Sequence, residues 1–244
     1  RGKDLEIRAP RDEAFRGVDI AVLGRDREYG WGAVTVNVAD NAEAKVVLAA
    51  LDADAIEEHE GRVAIPDGVG IAISRLVCGV GDVTTARAFA MQPAALLGPR
   101  AIEELYEQTM ALFKHAPVPI SVLPGRLAFN VLPGTPQYGA AQLCDCPITS
   151  SSFLVPLFGG TVVVLDLTCS ATTEEVEQRL QALEGIDVWS ELPEPADVVG
   201  DSDIRVMVES TPEGVRITAT LDEVRVAADA LLAAARELAE REAF

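Results

Sequence analysis

The stretch Arg62-Val-Ala-Ile-Pro-Asp-Gly-Val-Gly-Ile-Ala-Ile-Ser-Arg-Leu76 has the pattern of a short strand, a tight turn and the start of a helix. Enzymes often place a nucleophile on such a turn, because its side chain and nearby backbone N–H groups can face a substrate together. Residues 66–70 contain no usual nucleophile. The stretch therefore fits a phosphate-binding glycine loop, a catalytic turn without its catalyst, or a simple bend.

The residues before this turn predict buried strands. Residues 17–24 form a continuous apolar run that ends in glycine, which is typical of a strand buried on both faces. Residues 33–38 and 62–65 are further strand candidates, whereas residues 45–51 fit either a strand or a short helix. With a helix predicted over 69–78, the alternation indicates an α/β layer with parallel strands.

The chain after residue 79 is richer in strands. Strands are predicted over 82–89, 127–132, 162–167, 204–209 and 215–221, and helices over 99–113, 172–183 and 223–242. Thr172-Thr-Glu-Glu175 has the pattern of a capping box, and Thr211-Pro-Glu-Gly214 that of a hairpin turn. This half predicts an α+β layer with a mixed sheet. Strands 127–132 and 162–167 could line a cofactor pocket or form a sheet face that packs against helices or a second subunit.

Composition and charge exclude several classes of function. The 244 residues are 49% apolar and 24% charged, as in globular proteins, and carry a formal charge of −19. Basic residues are scattered singly, which argues against nucleic-acid binding, and the negative charge disfavours anionic membranes. No apolar stretch has the composition of a membrane-spanning helix or a signal peptide, so we expect a cytoplasmic protein. The chain lacks an initiator Met, and we expect the true N-terminus to lie upstream.

The cysteines and histidines do not predict a metal site. Cys144 and Cys146 have no second Cys or His pair at ligand spacing, and the chain contains only two histidines. Reduced, mostly buried thiols are the expectation for these residues and for Cys78 and Cys169. Cys78 could be a displaced nucleophile, but the C-terminal end of a helix raises a thiol pKa.

Several segments in collinear order resemble the aspartate-semialdehyde dehydrogenase superfamily, particularly its C-terminal dimerisation domain. They are residues 15–22, 103–113, 127–133, Val155-Pro-Leu-Phe-Gly-Gly160, 172–183 and 203–228. The resemblance is greatest to the non-catalytic paralogues of the superfamily. It implies a remnant Rossmann-like nucleotide-binding domain, residues 1–70 with 223–244, and a dimerisation domain, residues 71–222.

The resemblance also locates the family's catalytic positions in this sequence. Ile65-Pro-Asp-Gly68 falls where active members carry Asn-Pro-Asn-Cys, so Gly68 stands at the position of the nucleophilic cysteine. Leu154 and Thr161 stand at the positions of the arginine that binds the substrate carboxylate and of the histidine that transfers protons. Glycine, leucine and threonine cannot perform these roles. A vestigial cleft is implied, formed by Asp67, Gly68, Asn130, Gly160, Thr161 and Arg225.

The sequence therefore leads to three functional hypotheses. The first is a non-catalytic relative of the semialdehyde dehydrogenases that acts as a dimerising interaction or regulatory protein, as a homodimer or with another protein, without cofactor or metal. The second is an NADP-dependent oxidoreductase acting on an aldehyde in amino-acid biosynthesis. The third is a sensor of a small acid or nucleotide that uses the vestigial cleft, where Arg87, Arg126 and Arg225 could bind an acid or form ion pairs.

Overall fold

The computed structural model describes residues 20–23, 34–37, 62–64, 67–134 and 144–240. A three-stranded parallel sheet lies in the first part of the chain. Its strands, in spatial order, are β1 (Ile20–Leu23), β2 (Val34–Asn37) and β3 (Arg62–Ala64). This arrangement confirms the predicted parallel layer. Residues 45–51, for which the sequence fits either a strand or a short helix, lie outside the described residues.

A seven-stranded mixed sheet forms the larger part of the molecule, in the order β5-β6-β4-β7-β10-β9-β8. Its strands are β4 (Thr85–Gln92), β5 (Leu132–Pro133), β6 (Ile148–Leu154), β7 (Thr161–Thr168), β8 (Ile186–Val188), β9 (Ile204–Thr211) and β10 (Gly214–Leu221). The pairs β4–β6 and β8–β9 are parallel, and the other pairs are antiparallel. The predicted mixed sheet is thus confirmed. The two sheets fall on either side of the division drawn at residue 70, although the domain boundaries themselves stay a prediction.

The described α-helices are α1 (Gly68–Val80), α2 (Pro99–Phe113), α3 (Thr173–Gln181) and α4 (Glu223–Glu240). The capping box predicted for α3 is present, since the Glu175 N–H donates to the Thr172 hydroxyl at 3.3 Å and the Thr172 N–H donates to the Glu175 carboxylate at 3.0 Å. A 3-10 helix, Pro195–Val198, lies between β8 and β9.

The main core lies between one face of the seven-stranded sheet and the helices. Side chains alternate along β7, so Val163, Leu165 and Leu167 are buried on the helical side. They form one cluster with apolar residues of α1, with Val176 and Leu180 of α3 and with Val226 of α4. Burial of each large aliphatic side chain stabilises the fold by about 1.5–3 kcal/mol. The opposite face is more open among the described residues, and Phe89 on it is 39% exposed.

A second, smaller core joins α2 to the segment that follows it. Leu105 packs with Leu123, Leu127 and Leu154. Two buried polar residues of α2 fix the course of this segment. The Glu104 carboxylate accepts hydrogen bonds from the Ser121 N–H and hydroxyl and from the N–H groups of Val122 and Leu123. Burial works to raise the pKa of Glu104, but these hydrogen bonds outweigh it and hold the pKa below its ordinary value.

The prediction of a strand over residues 127–132 was wrong. Gln108 of α2 accepts hydrogen bonds at its amide oxygen from the N–H groups of Leu127 and Ala128, at 2.8 and 3.1 Å. A turn follows, with Phe129 at a φ of 55°, and pairing begins only at β5. Because a side chain uses these backbone donors, they are not available to a strand ladder.

Replacing Glu104 tests how far this network supports the fold. We expect Glu104→Ala to lower the free energy of unfolding by roughly 2–4 kcal/mol, because buried N–H donors lose their acceptor. Chemical denaturation at neutral pH measures the difference. Glu103→Ala is the matched control, since Glu103 directly precedes Glu104 on the same helix and is exposed, and its effect should stay within about 0.5 kcal/mol. Equal effects of the two substitutions would contradict a structural role for Glu104.

Candidate functional site

Helix α1 begins at Gly68, directly after Asp67. Asp67 is the N-cap, and its side chain accepts a hydrogen bond from the Gly70 N–H at 2.8 Å. A capping aspartate satisfies a helix N–H group and places a negative charge at the positive end of the helix. A carboxylate therefore stands where a phosphate would otherwise bind.

Gly68 lies against the backbone at the start of α4. A Cβ atom built on Gly68 would lie 1.8 Å from the carbonyl oxygen of Glu223 and 2.5 Å from its carbonyl carbon. Both values are far below van der Waals contact, and the neighbouring atoms belong to backbone that cannot rotate away. The position implied for a nucleophilic cysteine thus has no room for any side chain in this packing.

The Glu223 side chain lies at the centre of a buried polar cluster, which we define as Gln92, Ser152, Thr161 and Glu223. Glu223 is 5% exposed, and its Oε2 accepts hydrogen bonds from the Thr161 hydroxyl at 2.8 Å and from the Gln92 amide at 3.3 Å. The Ser152 hydroxyl in turn donates to the Gln92 amide oxygen. The other oxygen of Glu223, Oε1, has no hydrogen-bond partner within the described part of the chain.

Burial dominates the electrostatics of this carboxyl group. Desolvation raises the pKa of Glu223 from 4.5 to about 7, with further raising contributions from Asp67 and Asp222. The hydrogen bonds from Thr161 and Gln92 favour the ionised form and oppose the shift. Glu223 is consequently a carboxyl that changes its protonation state near neutral pH.

The structure brings some of the predicted cleft residues together and leaves others apart. Thr161 is fully buried and bonds to Glu223, which also contacts Gly68. Gly160 precedes Thr161 with a φ of 74°, and a Cβ there would lie 1.7 Å from the Pro195 carbonyl oxygen. Leu154 is buried in the small core beside α2 rather than in a polar site.

Asn130 and Arg225 make only local interactions among those described. The Asn130 amide donates to the Arg126 carbonyl oxygen within its own turn, at 3.1 Å. Arg225 forms an ion pair with Asp229 one turn along α4, at 3.1 Å. Neither side chain is joined to the buried polar cluster by these contacts.

Sequence reasoning missed Gln92, Ser152 and Glu223. Their sequence contexts are a strand end, a strand interior and a helix start, and none has a motif that indicates a buried polar role. A small cavity of about 150 Å³ adjoins the cluster, lined by Pro93, Leu96, Thr161, Val199, Glu223 and neighbouring residues.

Searches for other sites gave negative results for the described residues. They contain no group of His, Cys, Asp and Glu side chains arranged to hold a metal ion. Within the same part of the chain, no helix is long and apolar enough to cross a membrane.

Comparisons with known proteins identify the fold. No protein-family profile matches the chain, and no curated protein matches it. Solved structures do match. Aspartate-semialdehyde dehydrogenase II from Vibrio cholerae, complexed with ASA, is 18% identical over 86% of this chain and 73% of that chain, with a TM-score of 0.75. The chain has the fold of the aspartate-semialdehyde dehydrogenases.

Two further structures support the same conclusion. A probable aspartate-semialdehyde dehydrogenase from Pseudomonas aeruginosa is 19% identical over 94% of this chain and 78% of that chain, with a TM-score of 0.72. The aspartate-semialdehyde dehydrogenase with NADP from Candida albicans is 14% identical over 94% of this chain and 80% of that chain, with a TM-score of 0.65. At these identities the likeness establishes architecture, whereas activity is decided by the residues of the site.

The NADP of one neighbour raises the question of whether the described residues fit that cofactor. The one helix N-terminus that follows a described strand of the parallel sheet is that of α1, and the Asp67 carboxylate and the Glu223 backbone already occupy it. An anionic diphosphate would be repelled there. The N-terminus of α1 therefore does not fit a phosphate group of that cofactor.

The raised pKa of Glu223 predicts how stability depends on pH. The folded state holds a proton that the unfolded chain releases near pH 4.5, so the stabilising contribution of Glu223 is fully present below that pH and is lost as the pH rises to about 7. The loss is about 3 kcal/mol. Glu223→Gln should remove this dependence and make the protein more stable than wild type at pH 8, as measured by urea denaturation across this range.

Glu213→Gln serves as the control for the Glu223 experiment, because Glu213 is an exposed residue of the β9–β10 turn. It should change stability by less than about 0.5 kcal/mol at every pH. A difference between wild type and Glu223→Gln that stays constant with pH would contradict the assigned titration.

Proposed function

We propose that this chain is a non-catalytic protein with the aspartate-semialdehyde dehydrogenase fold that acts as a dimerising interaction or regulatory protein. The observation that carries the proposal is the contact between Gly68 and the backbone of Glu223. The contact leaves no room for a nucleophilic side chain at position 68, and the sequence itself carries glycine rather than cysteine there.

The buried polar cluster supports the same proposal. The Thr161 hydroxyl donates to Glu223, so it is engaged inside the protein, and threonine does not transfer protons near neutral pH. Leu154, at the position implied for a carboxylate-binding arginine, is 6% exposed within an apolar core. An enzyme of this type that lacks both nucleophile and base is expected to lose on the order of 10⁶ in rate.

Two observations keep an NADP-dependent oxidoreductase as the second candidate. The chain retains three parallel strands, and solved neighbours with this fold are dehydrogenases, one of them with NADP. The candidate requires a nucleophile other than residue 68. A sensor of a small acid or nucleotide is the third candidate and would use the cavity beside Glu223.

Dimerisation is supported by the open face of the seven-stranded sheet. Phe89, Val164, Thr218 and Met207 stand directly opposite one another on β4, β7, β10 and β9. Phe89 is 39% exposed, and the other three are partly buried. A row of this kind on a sheet face, apolar except for Thr218, is typical of surfaces that pair with another protein.

The neighbouring row on the open face carries alternating charges. Arg87, Asp166, Arg216 and Glu209 follow one another across the same strands, with a salt bridge of 2.6 Å between Arg216 and Asp166. Alternating signs are self-complementary, because a second copy related by a two-fold axis can set its cations opposite these anions. We therefore propose a second copy of this chain as the partner on this face.

The catalytic part of the proposal is tested by activity and by substitution of Gly68. Wild-type protein should give no NADPH with aspartate semialdehyde, NADP and phosphate, and Gly68→Cys should not restore turnover. Gly68→Ala should lower the free energy of unfolding by more than about 3 kcal/mol, because its Cβ collides with backbone. Robust turnover by wild-type protein would refute the proposal.

Gly125→Ala is the matched control for the steric effect. A Cβ at Gly125 would lie 3.5 Å from the Leu132 side chain, which is ordinary contact. Its effect on stability should therefore stay within about 1 kcal/mol. Comparable stability of Gly68→Ala and Gly125→Ala would show that the start of α4 can move away from residue 68 at little cost in free energy.

In a thermal-shift assay, stabilisation by millimolar NADP or small acids would favour the second or third candidate.

Light scattering tests the dimer. The wild-type mass should be close to twice 25.9 kDa. The double substitution Phe89→Arg with Val164→Arg should give a monomer, because it places like charges in the middle of the proposed interface. Tyr106→Arg is the control, since Tyr106 is 59% exposed on α2, and it should remain dimeric. A wild-type monomer, or a dimer that persists in the double variant, would contradict this interface.

A further inference from the structure

The structure brings together cysteines that the sequence places far apart. Cys78 lies near the end of α1, whereas Cys144 and Cys146 precede β6. The Sγ atoms of Cys78 and Cys144 are 3.6 Å apart, although the residues are separated by 66 positions. Cys78 is exposed and the other two are half-buried. The expectation of mostly buried thiols was therefore wrong for Cys78.

Sheet pairing holds the two cysteines near each other. β4 follows α1 directly and pairs in parallel with β6, with Ala86 opposite Ile148. The Ala86 N–H also donates to the Pro147 carbonyl oxygen at 3.0 Å, which fixes the residues just before β6 beside the start of β4. The proximity of the sulfurs thus follows from the strand register as well as from side-chain conformation.

We propose that Cys78 and Cys144 form an oxidisable pair, in which a hydroperoxide converts the two thiols into an intramolecular disulfide. The inference rests on the Sγ–Sγ contact and the exposure of Cys78, and it is independent of the function proposed above. The separation of the sulfurs exceeds a disulfide bond by about 1.6 Å. Small side-chain rotations can close that gap.

The reaction is balanced with hydrogen peroxide as oxidant. The Cys78 thiolate attacks a peroxide oxygen, the O–O bond breaks, hydroxide leaves and a sulfenic acid forms. The Cys144 sulfur then attacks the Cys78 sulfur, the S–O bond breaks, and the Cys144 proton joins the departing hydroxide to give water. Overall, two thiols and one hydrogen peroxide yield one disulfide and two waters.

Exposure assigns the order of these steps. Cys78 is the sulfur that a dissolved peroxide reaches first, because its side chain is exposed. Burial, and then the neighbouring Cys78 thiol, raise the pKa of Cys144 to about 12, so Cys144 remains protonated until the sulfenic acid is beside it. Burial, and then the charge of the nearby Cys78, raise the pKa of Cys146. Cys146 is therefore the competing partner that the experiment must separate from Cys144.

The disulfide would join the C-terminal end of α1 to the residues that precede β6. Because α1 begins at Gly68, against the Glu223 backbone, the cross-link would tie the other end of that helix to the seven-stranded sheet. Closing a long loop constrains the unfolded chain, and we expect the midpoint of thermal unfolding to rise by roughly 5 °C or more on oxidation. Dithiothreitol should reverse the rise.

The test is peroxide treatment of the whole chain, followed by thiol counting, non-reducing proteolysis and mass spectrometry. Wild type, Cys146→Ser and Cys169→Ser should each lose two thiols and yield a peptide that links residues 78 and 144. Cys78→Ser and Cys144→Ser should lose both the linked peptide and the rise in the unfolding midpoint. Cys169 is the control because its described hydrogen bond, at 4.0 Å, is to the Ala171 carbonyl oxygen rather than to another sulfur.

Two results would overturn the proposal. One is a wild-type product with a link between residues 78 and 146, or between two chains, in place of the 78–144 link. The other is oxidation of Cys78 to sulfinic acid without any disulfide. Both are read directly from peptide masses, and neither depends on whether the serine variants fold normally.

Discussion

The close packing of the Glu223 backbone against Gly68 is the constraint on which the candidate site depends. It lets the first residue of α4 enter the space next to the first residue of α1, at a distance that any side chain would prevent. Once α4 begins there, the Glu223 side chain is carried into the interior beside β7. The arrangement of the buried polar cluster follows from this close approach of the N-terminal ends of α1 and α4.

The cluster is a buried polar centre in which hydrogen bonds converge on one carboxylate oxygen. Gln92, Ser152 and Thr161 share a chain of hydrogen bonds that ends on a single oxygen of Glu223, while the other oxygen has no partner among the described residues. A buried carboxyl with half of its acceptors unused costs free energy when ionised, which explains its raised pKa. Such a centre links folding stability to pH.

Periodicity predicted most of the fold because local rules and tertiary packing agreed. The bounds of α2, the capping box at Thr172 and the β9–β10 hairpin match their predictions, and each depends on residues within one turn or one hairpin. The strand prediction for residues 127–132 was wrong for the opposite reason. Their apolar pattern favours a strand, but Gln108, nineteen positions away from Leu127, accepts hydrogen bonds from their backbone. The sequence of residues 127–132 does not indicate this contact, because Gln108 lies outside the segment.

The sequence by itself determined that Gly68, Leu154 and Thr161 carry no groups for covalent aldehyde chemistry, because the identity of a side chain limits its chemistry wherever it lies. The sequence also determined the α/β character of the chain through the periodic spacing of its apolar residues. Only the tertiary structure decided that Gly68 faces backbone, that Glu223 is buried beside Thr161, and that Cys78 lies 3.6 Å from Cys144. The physical reason is that these contacts join residues 62 to 155 positions apart, and sheet register and helix packing, rather than local propensity, set their distances.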